Sequence, residues 1–139
     1  MAYWLFKSEP DVLSFDNLMA KGKAGDEWTG IRNYQARNNM RKMVIGDRGF
    51  FYHSNIGKAV VGLVEVCKLI HPDSTAEIPA WECVDIRGLK PMPRHITLDE
   101  IKTMPALSEM VLVKNSRLSV QPVLEAEWKV ICDLGGFKL

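Results

Sequence analysis

Two periods alternate along this chain, and together they lay out its elements. "AYWLFK" near the start is an aromatic and aliphatic run of strand character, closed by the turn-forming "SEP". "SFDNLMAKGKAG" then takes helical spacing, with Ser14 as its cap, Leu18 and Met19 facing inward and Gly22 closing it. A second helix is predicted over "NYQARNNMRKM", where Tyr34, Ala36, Met40 and Met43 lie on or near one stripe and "IGD" follows as a stop. In "RGFFYHSN" the period drops to two. Phe50, Tyr52 and Ser54 take one side, and Phe51, His53 and Asn55 the other. "IGK" is a hairpin turn, and "AVVGLVEVCKLIH" a long strand in which Gly62 marks a bulge or a close backbone approach.

After the loop "HPDSTAEIP", "WECVDIRGLKPMP" reads as another strand, stopped by Pro91 and Pro93. "TLDEIKTM" carries a capping box, Thr97 and Glu100, that opens a short helix. "MVLVKNSRLSVQPV" is irregular with some strand character. "LEAEWKVICDLGG" is a helix burying Leu124, Trp128 and Ile131 before Gly135 ends it. Strands dominate the middle, and they do not alternate with helices as βαβ units. The pattern therefore predicts an α+β fold, a small, curved, mostly antiparallel β-barrel with short helices around its ends. At 139 residues, one domain spanning 1–139 is expected.

Composition narrows the setting. The chain has no basic leader followed by a long apolar core, and no apolar run near the roughly 20 residues that cross a bilayer. Cys67, Cys83 and Cys132 are odd in number, far apart and set in apolar segments. They read as buried thiols in a reducing compartment, so a cytoplasmic location is expected. His53, His71 and His95 are isolated, no two Cys or His residues stand at metal-ligand spacing, and neither a metal nor a cofactor is expected.

Charge is more informative in its placement than in its sum of +1. Between Trp28 and Lys58 six Lys or Arg face one acid, Asp47, whereas Glu65 to Glu100 holds seven acids against four bases. Such segregation is the footprint of a localised anion-binding face or of a helix solvated by arginines. Arg37 and Arg41, four apart, share a helix face, with Arg32 just before it. Chemistry for catalysis is harder to find. The chain has no GxSxG elbow, no phosphate-binding P-loop and no GxGxxG. His53 and Ser54 are strand neighbours and point apart, so they cannot form a base–nucleophile pair. Glu9 and Asp11 flank Pro10 as turn residues, and Asp85 fits a buried, hydrogen-bonded acid. The residues argue for binding and against an enzyme.

At this point longer runs become informative. "YWLFKSEP", "WTGIRNYQARNNMRKMVIGDRGFFYHSN", "PAWECVDI" and "RLSVQPVLEAEW" resemble the EVE domain family, which includes thymocyte nuclear proteins and is related to YTH domains. The resemblance runs from Tyr3 to about Leu134. It implies a PUA-like fold, a small mixed barrel ringed by helices. It also implies a reader of modified bases in nucleic acid, either a cytosine derivative in DNA or a methylated base in RNA. By this resemblance Lys7 and Ser8 border the base pocket, and Trp28 with Thr29 forms an aromatic wall. Ser54 and Asn55 lie against the same cavity, Arg117 contacts a phosphate, and Ser119 stands beside it. A second wall is not fixed by the resemblance; Tyr34, Trp81 and Phe51 are the candidates.

From the residues alone, Trp28 is a core residue anchoring its loop, Asn33 a helix cap and Asn55 either a turn residue or a ligand contact; Trp4, Trp81 and Trp128 belong to the core. With the resemblance, Trp28 becomes the stacking surface for a flipped or unpaired base. Arg32, Arg37, Arg41 and Arg117 become phosphate contacts, giving a log–log salt slope of roughly −3 on single strands. The alternatives are a small enzyme acting on a nucleotide or RNA, and a basic module that meets an acidic protein. A chain this short leaves downstream chemistry to a partner enzyme.

Overall fold

A computed structural model describes residues 2–55, 57–115 and 117–137. Ile56 of the expected turn and Ser116 of the expected irregular segment lie outside them. Six strands form one sheet: β1 (Tyr3–Ser8), β2 (Asp26–Glu27), β3 (Arg48–His53), β4 (Ala59–Pro72), β5 (Glu82–Thr97) and β6 (Val120–Val123). Their order is β2-β5-β4-β3-β1-β6. All neighbours are antiparallel except β1 and β3, which run parallel with Tyr3 opposite Arg48 and Ser8 opposite His53. The helices are α1 (Phe15–Ala20), α2 (Tyr34–Arg41), α3 (Leu98–Thr103), α4 (Val111–Lys114) and α5 (Glu125–Leu134). No helix among the described residues is long and apolar enough to cross a membrane.

The sheet is open, which corrects the closed barrel expected from the sequence. β2 pairs only with β5 and β6 only with β1, and among the described residues no ladder joins those two edges. Two residues of β2 are too few to carry the ladder around. Strand alternation instead gives the sheet a core on each face. Trp4 and Phe6 of β1 join Phe51 of β3, Phe15 and Leu18 of α1 and Met40 of α2 on one face. Leu5, Phe50 and Tyr52 join Ile101 of α3 and Trp128 and Ile131 of α5 on the other. Trp128 is stacked between Tyr3 and Phe50, with ring centroids 4.4 and 4.2 Å away.

Several local expectations meet their physical limits here. Strand β5 runs through Pro91 and Pro93 to Thr97. Beyond Ile86 β4 is its only strand partner among the described residues, so no ladder on the other side needs a proline N–H. Residues 111–114 are a single helical turn, and strand pairing begins at Val120. Leu124 is the residue before α5 and stays 67% exposed, while Tyr34 is 58% exposed. Ser14, Asn33 and Thr97 do cap their helices, accepting from Asn17, Ala36 and Glu100 N–H.

Gly62 fulfils both of its expected roles. The β4–β5 register shifts between Val60 and Gly62, and a β-carbon there would lie 2.3 Å from Cζ of the buried Phe15 ring. Phe15 packs edge-on against Phe51 and cannot retreat without opening the core. Gly62→Ala is expected to lower unfolding free energy by about 1–3 kcal/mol, the usual cost of overpacking. Urea denaturation, followed by tryptophan fluorescence, checks it.

Candidate nucleic-acid interface

A cleft of about 360 Å³ opens where β1 ends, between the segments 7–13 and 26–31. Lys7, Ser8, Glu9, Leu13, Asp26 and Glu27 line it together with Trp28, Thr29 and Ile31. Four of the seven residues expected at a base pocket thus share one cavity: Lys7, Ser8, Trp28 and Thr29. Two more touch it through the backbone. Ser54 N–H donates to the Ser8 carbonyl at 2.9 Å, and Lys7 N–H donates to the Ser119 carbonyl at 2.9 Å. Asn55 is placed elsewhere. It takes φ +68° in the β3–β4 turn and lines a separate cleft with Thr97 and Asp99.

Trp28 is first of all a core residue, 5% exposed. Phe6 and Phe51 meet its ring edge-to-face at 5.4 and 5.7 Å, and its N–H donates to the Val84 carbonyl. Its indole Nε1–H is buried with no hydrogen-bond partner, a costly state for a polar group. Trp28 therefore lines the cleft without presenting it a bare stacking face. Of the candidate second walls, Phe51 is fully buried behind Trp28, whereas Tyr34 and Trp81 stack on each other at 4.8 Å on the protein surface.

The polar lining is mixed in sign. Ser8 Oγ donates to the Leu13 carbonyl at 2.8 Å, which folds residues 9–13 over the end of β1. Lys21 pairs with Asp26 at 3.1 Å. Burial holds the Lys7 ammonium below its usual range, and its Nζ lies 5.8 Å from the Tyr52 ring centre. His53 Nε2 accepts the Phe15 N–H at 3.1 Å. Burial and His95 push the His53 imidazole below its ordinary pKa.

Asp73 organises the wall that carries Trp28 and was not anticipated as a site residue. It is buried on the loop after β4 and accepts from Gly30 N–H at 2.9 Å, Arg32 Nη1 at 3.2 Å, Thr75 N–H at 2.8 Å and Thr75 Oγ at 2.6 Å. Burial alone would raise its carboxyl; the Thr75, Gly30 and Arg32 hydrogen bonds win and hold it at about 2. The sequence signal was "HPDST", legible as a turn but not as an anchor for a loop 43 residues away.

The expected phosphate contacts are already partnered in part. Arg32 binds Asp73, and Arg41 binds Glu82 through Nε at 2.7 Å and Nη2 at 2.5 Å. Arg37 donates to the Ala80 carbonyl and to Asn38, and its guanidinium lies 4.8 Å from the Tyr34 ring centre. The acidic segment folds back over the basic helix, so charges segregated in sequence are complementary in space. Asn39, one of the amides read as part of that face, is buried and donates to the Val120 carbonyl at 2.8 Å. Arg117 is exposed and has no ion pair among the described residues.

A second cluster lies just behind the cleft, on strands the cysteine and histidine spacing could not connect. Glu27, His71, Cys83 and Asp85 converge from β2, β4 and β5. Burial, then the carboxylates of Asp73, Glu27 and Asp85, pushes the Cys83 thiol up to about 12.

An open, mostly antiparallel sheet with helices on both faces and a small polar cleft where β1 ends defines a small mixed α/β domain. The chain belongs to the EVE domain family, whose model matches residues 2–134. It is similar to a protein of Agrobacterium tumefaciens known from its crystal structure, at 57% identity and a TM-score of 0.97 over 99% of this chain and 94% of that one. Human THYN1, solved in complex with 5-methylcytosine containing DNA, is 34% identical with a TM-score of 0.90, over 100% of each chain. The fold is also that of the YTH domain of Zygosaccharomyces rouxii MRB1, solved with N6-methyladenosine RNA, at a TM-score of 0.60 and 16% identity over 99% and 86% of the two chains.

Proposed function

We propose that this chain is a non-catalytic reader of a modified nucleobase, which it captures flipped or unpaired in the cleft beside Trp28. The observation that carries the reading is that cleft. It gathers Lys7, Ser8, Trp28 and Thr29 around about 360 Å³, in a chain whose relative human THYN1 was solved with 5-methylcytosine DNA. A mixed-sign lining suits the edge of a neutral base, which presents donors and acceptors side by side, better than it suits a phosphate. The carboxylate of Asp26 fits an exocyclic amino group such as that of cytosine. The indole edge and Leu13 supply apolar contact for an added methyl group.

Phosphates fall to Arg37 and Arg117 first, because Arg32 and Arg41 must exchange a carboxylate to bind one. The reader works in a reducing cytoplasm, and chemistry downstream of recognition belongs to a partner enzyme.

Fluorescence anisotropy tests this. The probes are short single strands and duplexes carrying unmodified, methylated or hydroxymethylated cytosine, or methylated adenine, at two salt concentrations. One modified single strand is expected to bind at least tenfold tighter than its unmodified twin, about 1.4 kcal/mol. The duplex should bind more weakly, since extrusion costs a few kcal/mol. The salt slope should be shallower than the roughly −3 of four phosphate contacts. Equal affinity for all strands would sink the reading.

A further inference from the structure

We infer that Glu27, His71, Cys83 and Asp85 form a binding site for a single zinc ion behind the cleft wall. Strand register puts all four side chains on one face. His71 is paired with Cys83 across β4 and β5, Glu27 with Asp85 across β2 and β5, and Cys83 and Asp85 are two apart on β5. The donor atoms of Glu27, His71 and Cys83 lie within 4.8 Å of one another. Individual separations are 3.9 Å from Cys83 Sγ to Glu27 Oε1, 4.0 Å from Cys83 Sγ to His71 Nε2, and 2.7 Å from His71 Nε2 to Asp85 Oδ1. Tetrahedral zinc with bonds of about 2.0–2.3 Å needs donor separations of about 3.3–3.8 Å. Glu27, His71 and Cys83 are already grouped for this, while the Asp85 carboxylate must turn away from His71 Nε2 to ligate as the fourth donor.

The surrounding hydrogen bonds fit as well. His71 Nδ1 lies 2.9 Å from the Pro72 carbonyl oxygen, which can only accept a hydrogen bond. Nε2, on the other side of the ring, faces Asp85 and Cys83, while Nδ1 also lies 3.8 Å from Glu27 Oε1. A ligating histidine ordinarily donates its other N–H to a carbonyl in this way. Ser74 Oγ donates to Glu27 Oε2 at 2.7 Å and leaves Oε1 on the side of the cluster. One sulfur, one imidazole and two carboxylates suit zinc, whereas magnesium and calcium take oxygen ligands. On binding, the Cys83 S–H proton leaves to solvent as the Zn–S bond forms. The ion would staple β2, and with it the residue before Trp28, to the middle of the sheet.

The test uses tag-free full chain stripped with a chelator. Zinc affinity and stoichiometry are read by competition with a chromogenic chelator, and cobalt substitution reports a thiolate-to-metal charge-transfer band. One zinc per chain is expected, with the band present in wild type. Cys83→Ser should abolish the band and weaken binding about a hundredfold, and Ser74→Ala should weaken it about tenfold. Cys67→Ser and Cys132→Ser should change neither. The wild-type band needs no variant to fold. Its absence, zero stoichiometry, or unchanged affinity in a folded Cys83→Ser chain would overturn the site and leave His71 as a hydrogen-bonding partner of Asp85 alone.

Discussion

Alanine at position 28 is expected to lower unfolding free energy by about 3–5 kcal/mol, the usual loss for a buried tryptophan. Trp28 is enclosed by Phe6 and Phe51, and nothing nearby can collapse into the space it would leave. Binding by Trp28→Ala would therefore conflate a lost contact with a loosened core. Trp28→Phe separates the two. The smaller ring keeps part of the edge-to-face packing, leaves a smaller cavity than alanine does, and removes the indole N–H, which has no partner in the free protein. If a captured base satisfies that donor, Trp28→Phe should stay folded by circular dichroism yet lose about tenfold in affinity for the modified strand, or about 1.4 kcal/mol. A folded variant with wild-type affinity would show that the N–H takes no part in recognition.

Asp73→Ala is expected to be nearly as damaging, at about 3 kcal/mol, because it strands the Gly30 N–H and the Arg32 guanidinium together. The same residue predicts an acid transition. Its carboxyl is held at about 2 in the folded chain, against an ordinary value of 3.8. A depressed folded pKa contributes stability that is fully present above the unfolded value and is lost as pH falls. The window is pH 4 down to 2, and the loss about 2 kcal/mol. Urea midpoints measured across that window should fall in wild type and flatten in Asp73→Asn. A wild-type midpoint that holds steady to pH 2 would show that the loop is anchored by something else.

Much of the fold was legible because periodicity reports local geometry faithfully. The alternation in "FFYH" put Phe50 and Tyr52 on one face and Phe51 on the other, and the two cores follow from it. Gly62 announced its bulge. What failed depended on the partner rather than on the segment. Pro91 and Pro93 read as stops because sequence does not show that no strand pairs with one side of β5 there. Trp81 read as core and Tyr34 as part of the apolar stripe of α2, whereas the two rings stack on each other at the surface.

The cleft divides in the same way. Lys7, Ser8, Trp28 and Thr29 could be read from two short motifs, and the fold brings them together. Asn55 sits with a turn because its left-handed backbone is what the β3–β4 connection requires. The arginine helix looked like an open cationic face because nothing in its own segment foretells that Asp73 and Glu82 will fold over it. Asp73 and the Glu27–His71–Cys83–Asp85 cluster were invisible for a related reason: their members meet only when distant strands align.

The position of β1 bears on how the chain acquires its cleft in time. β1 lies between β3, with which it is parallel, and β6, which arrives more than a hundred residues later. A nascent chain can zip β3, β4 and β5 from neighbouring sequence, but β1 must wait for both flanks. Such long-range pairing gives a high contact order and slow final assembly. Lys7 is tied to the Ser119 carbonyl, so the cleft rim closes only when the last strand docks. Until then the outer edge of β1 is exposed to any other strand. Competence to bind and protection from misassembly therefore arrive in the same step.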